Sequence, residues 1–174
     1  MRFILIALVS ITLAGCWIGK SLYSNADARP AIPPGVYRLT GPDEPTKVYR
    51  VSMLPNGLTQ FDGGEKKETY GFAPLDSGRG TYVAWLDLKP DGAGIDVNDD
   101  VQIYALVARQ SNGEFLIVPP ECKDEEAEMA RKAGATIETG TAPACRFPDR
   151  RALEKAMRLL PRDDESALRL ARIR

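Results

Sequence analysis

Three stretches of this 174-residue chain are apolar on both alternating faces of an extended strand, and they constrain the fold more than any other feature. In 81–88, Tyr82, Ala84, Leu86 and Leu88 share one side while Val83 and Trp85 occupy the other. In 101–108, Val101, Ile103, Ala105 and Val107 are backed by Tyr104, Leu106 and Ala108, and Phe115 to Val118 is apolar throughout. Strands of this kind need cover on both faces. Earlier strands have one wet face: Tyr37 and Leu39 alternate with Val36, Arg38 and Thr40, and Tyr49, Val51 and Met53 alternate with Arg50 and Ser52. Asn56-Gly57 has the composition of a two-residue hairpin turn with two positive-φ positions, and Asn112-Gly113 repeats it. Gly35-Val36-Tyr37 is likewise answered by Gly80-Thr81-Tyr82, a pattern of two similar three-stranded meanders.

Helical signals follow the strands. Asp124 to Ala133 places Asp124, Glu125 and Glu126 at the positive end of a helix and Arg131 and Lys132 at its negative end, with Gly134 at the left-handed cap. From Asp149 to Leu160, Leu153, Ala156, Met157 and Leu160 form one stripe, with Asp149 as cap and Pro161 as stop. Ser166 to Arg174 reads as a further helical turn or a frayed tail. The expected fold is α+β: a mainly antiparallel sheet of about six to seven strands, with one or two C-terminal helices packed on it to supply the missing cover.

The N-terminus has the three parts of a secretory signal: Arg2, an apolar core from Phe3 to Leu13, and small residues before a cysteine. The apolar run to Ile18 is about 16 residues and is broken by Gly15, whereas a spanning helix needs roughly 20. Leu13-Ala14-Gly15-Cys16 resembles the lipobox of bacterial lipoproteins. That resemblance implies removal of residues 1–15, a diacylglycerol on the Cys16 thiol and usually a third acyl chain on its amino group. It implies a membrane partner through Cys16, and Trp17 in place of an aspartate after the cysteine points by the same resemblance to the outer membrane, facing the periplasm. Residues 16–34, ending in Pro30, Pro33 and Pro34, carry no periodic apolar pattern and read as a flexible tether with an r.m.s. reach of roughly 20 to 25 Å. Residues 35–174 then form one globular domain. With Cys16 lipidated, Cys122 and Cys145 are the two remaining thiols in an oxidising compartment, and a structural disulfide between them is expected.

The chemistry is narrowed by what is missing. Without a histidine the chain lacks the commonest general base, the Ser-His and Cys-His nucleophile pairs and nearly every zinc site. No cofactor is implied. Asp96, Asn98 and Asp100 match the first three ligand positions of a calcium loop, but the required glycine is Val101 and the bidentate glutamate is Val107. After loss of Arg2, 22 basic side chains face 24 acidic ones, which provides no positive excess for nucleic acid. Residues 146–174 hold nine basic side chains against five acidic ones, a candidate patch for anionic headgroups or cell-wall carboxylates. Tyr37, Tyr70 and Phe72 are candidates either for a binding face or for the core. The expected function is a non-catalytic, periplasm-facing binding or assembly module, with an envelope protein or a cell-wall component as partner. The alternatives are a carboxylate-dependent hydrolase of cell-wall glycans and a purely structural subunit of an envelope complex.

Overall fold

A computed structural model describes residues 16–42, 45–76, 80–88, 101–139, 143–162 and 167–173. The described residues begin with strand β1 (Trp17–Lys20) and a short 3-10 turn, Asn25–Asp27. Seven strands follow, consecutive ones paired antiparallel: β2 (Gly35–Thr40), β3 (Lys47–Met53), β4 (Thr59–Asp62), β5 (Lys67–Asp76), β6 (Thr81–Leu88), β7 (Val101–Arg109) and β8 (Phe115–Val118). The chain then leaves through helix α1 (Asp124–Ala133), β9 (Thr136–Glu138), β10 (Ala144–Phe147) and helix α2 (Arg150–Met157). It returns as β11 (Leu168–Arg172), which inserts between β8 and β2, antiparallel to both. That last pairing closes β2 to β8 and β11 into an eight-stranded up-and-down barrel.

Closure overturns the expected open sheet roofed by helices. Ala84, Val107 and Phe115 face inward and pack with Tyr37, Val51, Phe61, Phe72, Leu170 and Ile32 in the barrel interior. Val83, Trp85, Tyr104, Leu106, Leu116 and Val118 face outward into a second core with Trp17, Tyr23, Phe147, Leu153 and Met157. One dry face of these strands is therefore covered by the opposite wall of their own sheet. A two-sided apolar pattern records that both faces lack water, not what lies over them. The helices pack on one another and on the β9–β10 ribbon, in a lobe beside the barrel. The two meanders are likewise one continuous path, with β5 joining their strands.

Several local expectations change with the fold. In both Asn-Gly hairpins only the glycine has positive φ, +83° at Gly57 and +86° at Gly113. Leu54 N–H bonds Leu58 O and Gly57 N–H bonds Leu54 O, and Gln110, Glu114 and Gly113 repeat the pattern. These are three-residue loops with a left-handed glycine rather than two-residue turns. α1 spans the residues its charges and caps indicate, and α2 is capped by Asp149 Oδ1 accepting from Ala152 N–H at 2.8 Å. The stretch expected as a helical turn or tail forms β11, because Leu168 and Leu170 alternate with Arg169 and place Leu170 in the barrel.

Residues 17–34 are not a free tether. β1 pairs antiparallel with β7 and parallel with β10. Trp17, Tyr23 and Ile32 are buried, Ile32 inside the barrel. Buried Gln102 fastens this strap: its Oε1 accepts from Tyr23 N–H at 3.1 Å, and its Nε2 donates to Tyr23 O at 2.7 Å and Asp87 Oδ1 at 2.8 Å. Tyr104 Oη accepts from Leu22 N–H and lies 3.0 Å from Lys20 O. Three isolated large side chains, Trp17, Tyr23 and Ile32, are thus buried in the strap although they follow no period.

Candidate functional site: the Cys16 side and an exposed wall

Cys16 stands at the start of β1, half-buried, in a bridge with Glu121. Its carbonyl accepts from Cys145 N–H at 3.2 Å, and the next residue, Trp17, donates from its indole to Glu121 O at 3.2 Å. A disulfide joins Cys122 to Cys145, so the two segments that flank the Cys16 backbone are covalently tied. Burial, and then the neighbouring Glu121 carboxylate, push the free Cys16 thiol above its ordinary pKa. All three cysteines thus lie in one region, beside β7.

Most of the other candidate residues are occupied structurally. Tyr37 and Phe72 are interior core residues, and Tyr70 is half-buried, edge-on to Phe61 with centroids 5.4 Å apart. Tyr70 Oη donates to Glu68 at 2.8 Å. Burial of Glu68 opposes ionisation, but its bonds from Lys66 and Tyr70 prevail and keep the carboxyl below its ordinary pKa. Four of the nine basic side chains of the C-terminal stretch are paired with carboxylates. Arg146 pairs with Glu138, Arg150 with Asp27 and Glu154, Arg158 with Asp76 and Glu154, and Arg162 with Asp76. Asp96, Asn98 and Asp100 lie outside the described residues, among which no cluster of three His, Cys, Asp or Glu side chains could hold a metal.

One cluster of titratable groups is dense enough to examine for catalysis. The Arg150 guanidinium lies 4.5 Å above the Tyr23 ring, bonds Glu154 at 2.7 Å and Asp27 at 2.8 Å, while Tyr23 Oη donates to Glu154 at 3.2 Å. Burial first, then Glu154, raise the Tyr23 hydroxyl far above its usual range. Both carboxylates are bonded to the Arg150 guanidinium. The cluster clasps the strap to α2. A glycan hydrolase would need two carboxylates on facing walls. The depression on α1 instead carries Asp124, Glu125 and Glu128 along one helix.

The outer face of β11, β2 and β3 is different. Side chains of opposite parity to Tyr37, Val51 and Leu170 point away from the core. On that face Val36 is 40% and Val48 52% exposed, the latter matched among the large apolar side chains of the described residues only by Leu159. Arg38, Arg50 and Arg169 are exposed beside them. Among the described residues neither Arg38 nor Arg169 has a side-chain partner. Arg50 stands opposite Asp62, whose carboxyl is lowered chiefly by the Gly64 N–H and Lys67, with a smaller contribution from Arg50. Val36, Val48, Arg50, Asp62, Gly63 and Gly64 border a shallow depression of about 320 Å³. The alternation at 36–40 and 50–52 is visible in the sequence as a wet face, but the contribution of Arg169 depends on β11 reaching β2.

Ring order sets the relation between the two features. β3 is four strands from β7 in either direction round the barrel, and β1 is paired to β7. β2 is three strands from β7 and β11 two, and β1 shares the β8 edge of β7, so within the wall β3 is the strand farthest from the side that carries Cys16. Comparison with protein-family models, with curated proteins and with solved structures gives no match.

Proposed function

We propose that the chain is a lipid-anchored lipoprotein of a bacterial envelope, held through Cys16 in the outer membrane, and that its barrel is a non-catalytic, periplasm-facing binding or assembly module. The observation that carries the reading is the exposed Arg–Val wall on β11, β2 and β3, strands that do not pair with β1 or with the Cys16 segment. Exposed apolar side chains interleaved with guanidiniums, of which Arg38 and Arg169 have no side-chain partner among the described residues, fit a partner surface. Three acyl chains, at about 0.8 kcal/mol per buried methylene, anchor stably. Because Trp17 is already buried, an anchored Cys16 would hold the side bearing β1 close to the headgroups, with β3 the part of the wall farthest from them.

A photo-cross-linking residue at position 48, compared with one at position 159 in the helical lobe, tests the reading in intact cells. The expected result is a discrete adduct from position 48 alone, present in the wild type, whose intact mass carries the lipid, and absent from Cys16→Ser. Equal labelling from both positions, or release of soluble muropeptides when the purified protein meets isolated sacculi, would overturn it.

A further inference from the structure

Strand register gives the wall a definite charge geometry. Arg169 pairs with Thr40 and Ala171 with Arg38 across β11 and β2. Arg38 pairs with Val48 and Val36 with Arg50 across β2 and β3. Arg169, Arg38 and Arg50 are thus successive diagonal neighbours on three adjacent strands. Each step is about 7 to 8 Å, so the stripe of guanidiniums is roughly 15 Å long. Ala171 and Val36 border it on one side and Val48 on the other.

An extended polypeptide places alternate side chains on one face, about 6.6 to 6.8 Å apart. Carboxylates at positions i, i+2 and i+4 would therefore each meet one guanidinium, within the slack of the arginine side chains, in the geometry that guanidinium and carboxylate favour. The valines select among anions. Glutamate brings two methylenes to lie over Val36 and Val48 while its carboxylate reaches the arginine, as long amphipathic side chains do. A polyphosphate or a lipid headgroup has no such stem. Resting on the binding role proposed above, we propose that this wall takes an extended segment of a partner protein with glutamates at alternate positions.

The test uses the full lipidated protein in uncharged detergent micelles and fluorescence anisotropy of three labelled decapeptides. The first alternates glutamate with serine, the second alternates aspartate with serine, and the third has its five glutamates contiguous. The alternating glutamate peptide should bind best, weakening at least tenfold in R38Q/R50Q/R169Q and several-fold in V36S/V48S, with thermal melts unchanged. Affinity should fall with added salt. If polyphosphate or phosphatidylglycerol vesicles compete as well as the glutamate peptide and the valine changes have no effect, the wall is a general cationic surface and the proposal is refuted. An unaffected arginine triple variant refutes it outright. If the peptides fail to bind but the position-48 adduct persists, the ligand class is wrong and the binding role stands; loss of both removes both.

Discussion

Substituting Gly71 tests whether the N-terminal strap and the barrel stabilise one another. Gly71 is buried on β5 opposite Trp85, and a Cβ built there would lie 1.9 Å from Trp85 Cζ2 and 2.0 Å from Cε2. Ordinary carbon contact is about 3.5 to 4.0 Å, so the indole must move by roughly 1.5 to 2 Å. It has nowhere to go: Tyr23 stacks on it at 5.0 Å with planes 14° apart, and Tyr23 is held in turn by Gln102 and Glu154. Overpacking in a close-packed core costs about 1 to 3 kcal/mol, and displacement of Tyr23 places Gly71→Ala at the upper end, about 3 kcal/mol. For a chain of this size that lowers Tm by roughly 6 to 12 °C. Calorimetry measures the shift, and hydrogen exchange at the Leu22 and Tyr23 amides should accelerate before the barrel amides do. A Gly71→Ala variant that melts within about 1 °C of the wild type, with Tyr23 still protected, would refute the coupling of strap to barrel.

Gln102→Leu should destabilise by roughly 2 to 5 kcal/mol in urea titration, because it leaves the buried Tyr23 N–H and carbonyl without their partner; no change would mean that the strap is held by its apolar side chains alone. Reducing the Cys122–Cys145 bridge, or replacing both cysteines by alanine, should cost about 3 to 3.5 kcal/mol by loop closure over the 23-residue separation, read as a reductant-dependent shift in the denaturation midpoint. Ser24 N–H chiefly, with Arg150, depresses the Asp27 carboxyl. Its contribution is therefore present above the ordinary aspartate pKa of about 3.9 and lost as pH falls through the lower folded value. Asp27→Asn should accordingly be less stable than wild type at pH 7 and converge with it near pH 2, and a constant gap across that range would remove Asp27 from the clasp.

Part of this protein can be read one short segment at a time. The charges and cap of α1, the Asp149 cap of α2 and the glycines that turn the Asn-Gly hairpins all act over a few residues, so the sequence displays them. The bond between Cys122 and Cys145 follows from there being two thiols left once Cys16 is set aside. The hairpin type is not displayed in the same way, because a left-handed Gly57 is compatible with more than one loop length.

Closure is another matter. β11 finds its place between β2 and β8 through pairings such as Arg169 with Thr40, 129 residues apart, and such a register leaves no local trace. The same holds for β1, whose four residues acquire a strand conformation only between β7 and β10. An apolar strand face is identical in sequence whether a helix or the far wall of its own barrel excludes the water, which is why an open sheet and a barrel could not be told apart from the pattern. Each arginine of the wall alternates visibly outward along its own strand. Their alignment into one diagonal stripe was decided by the tertiary structure alone, because only barrel closure sets β11 beside β2.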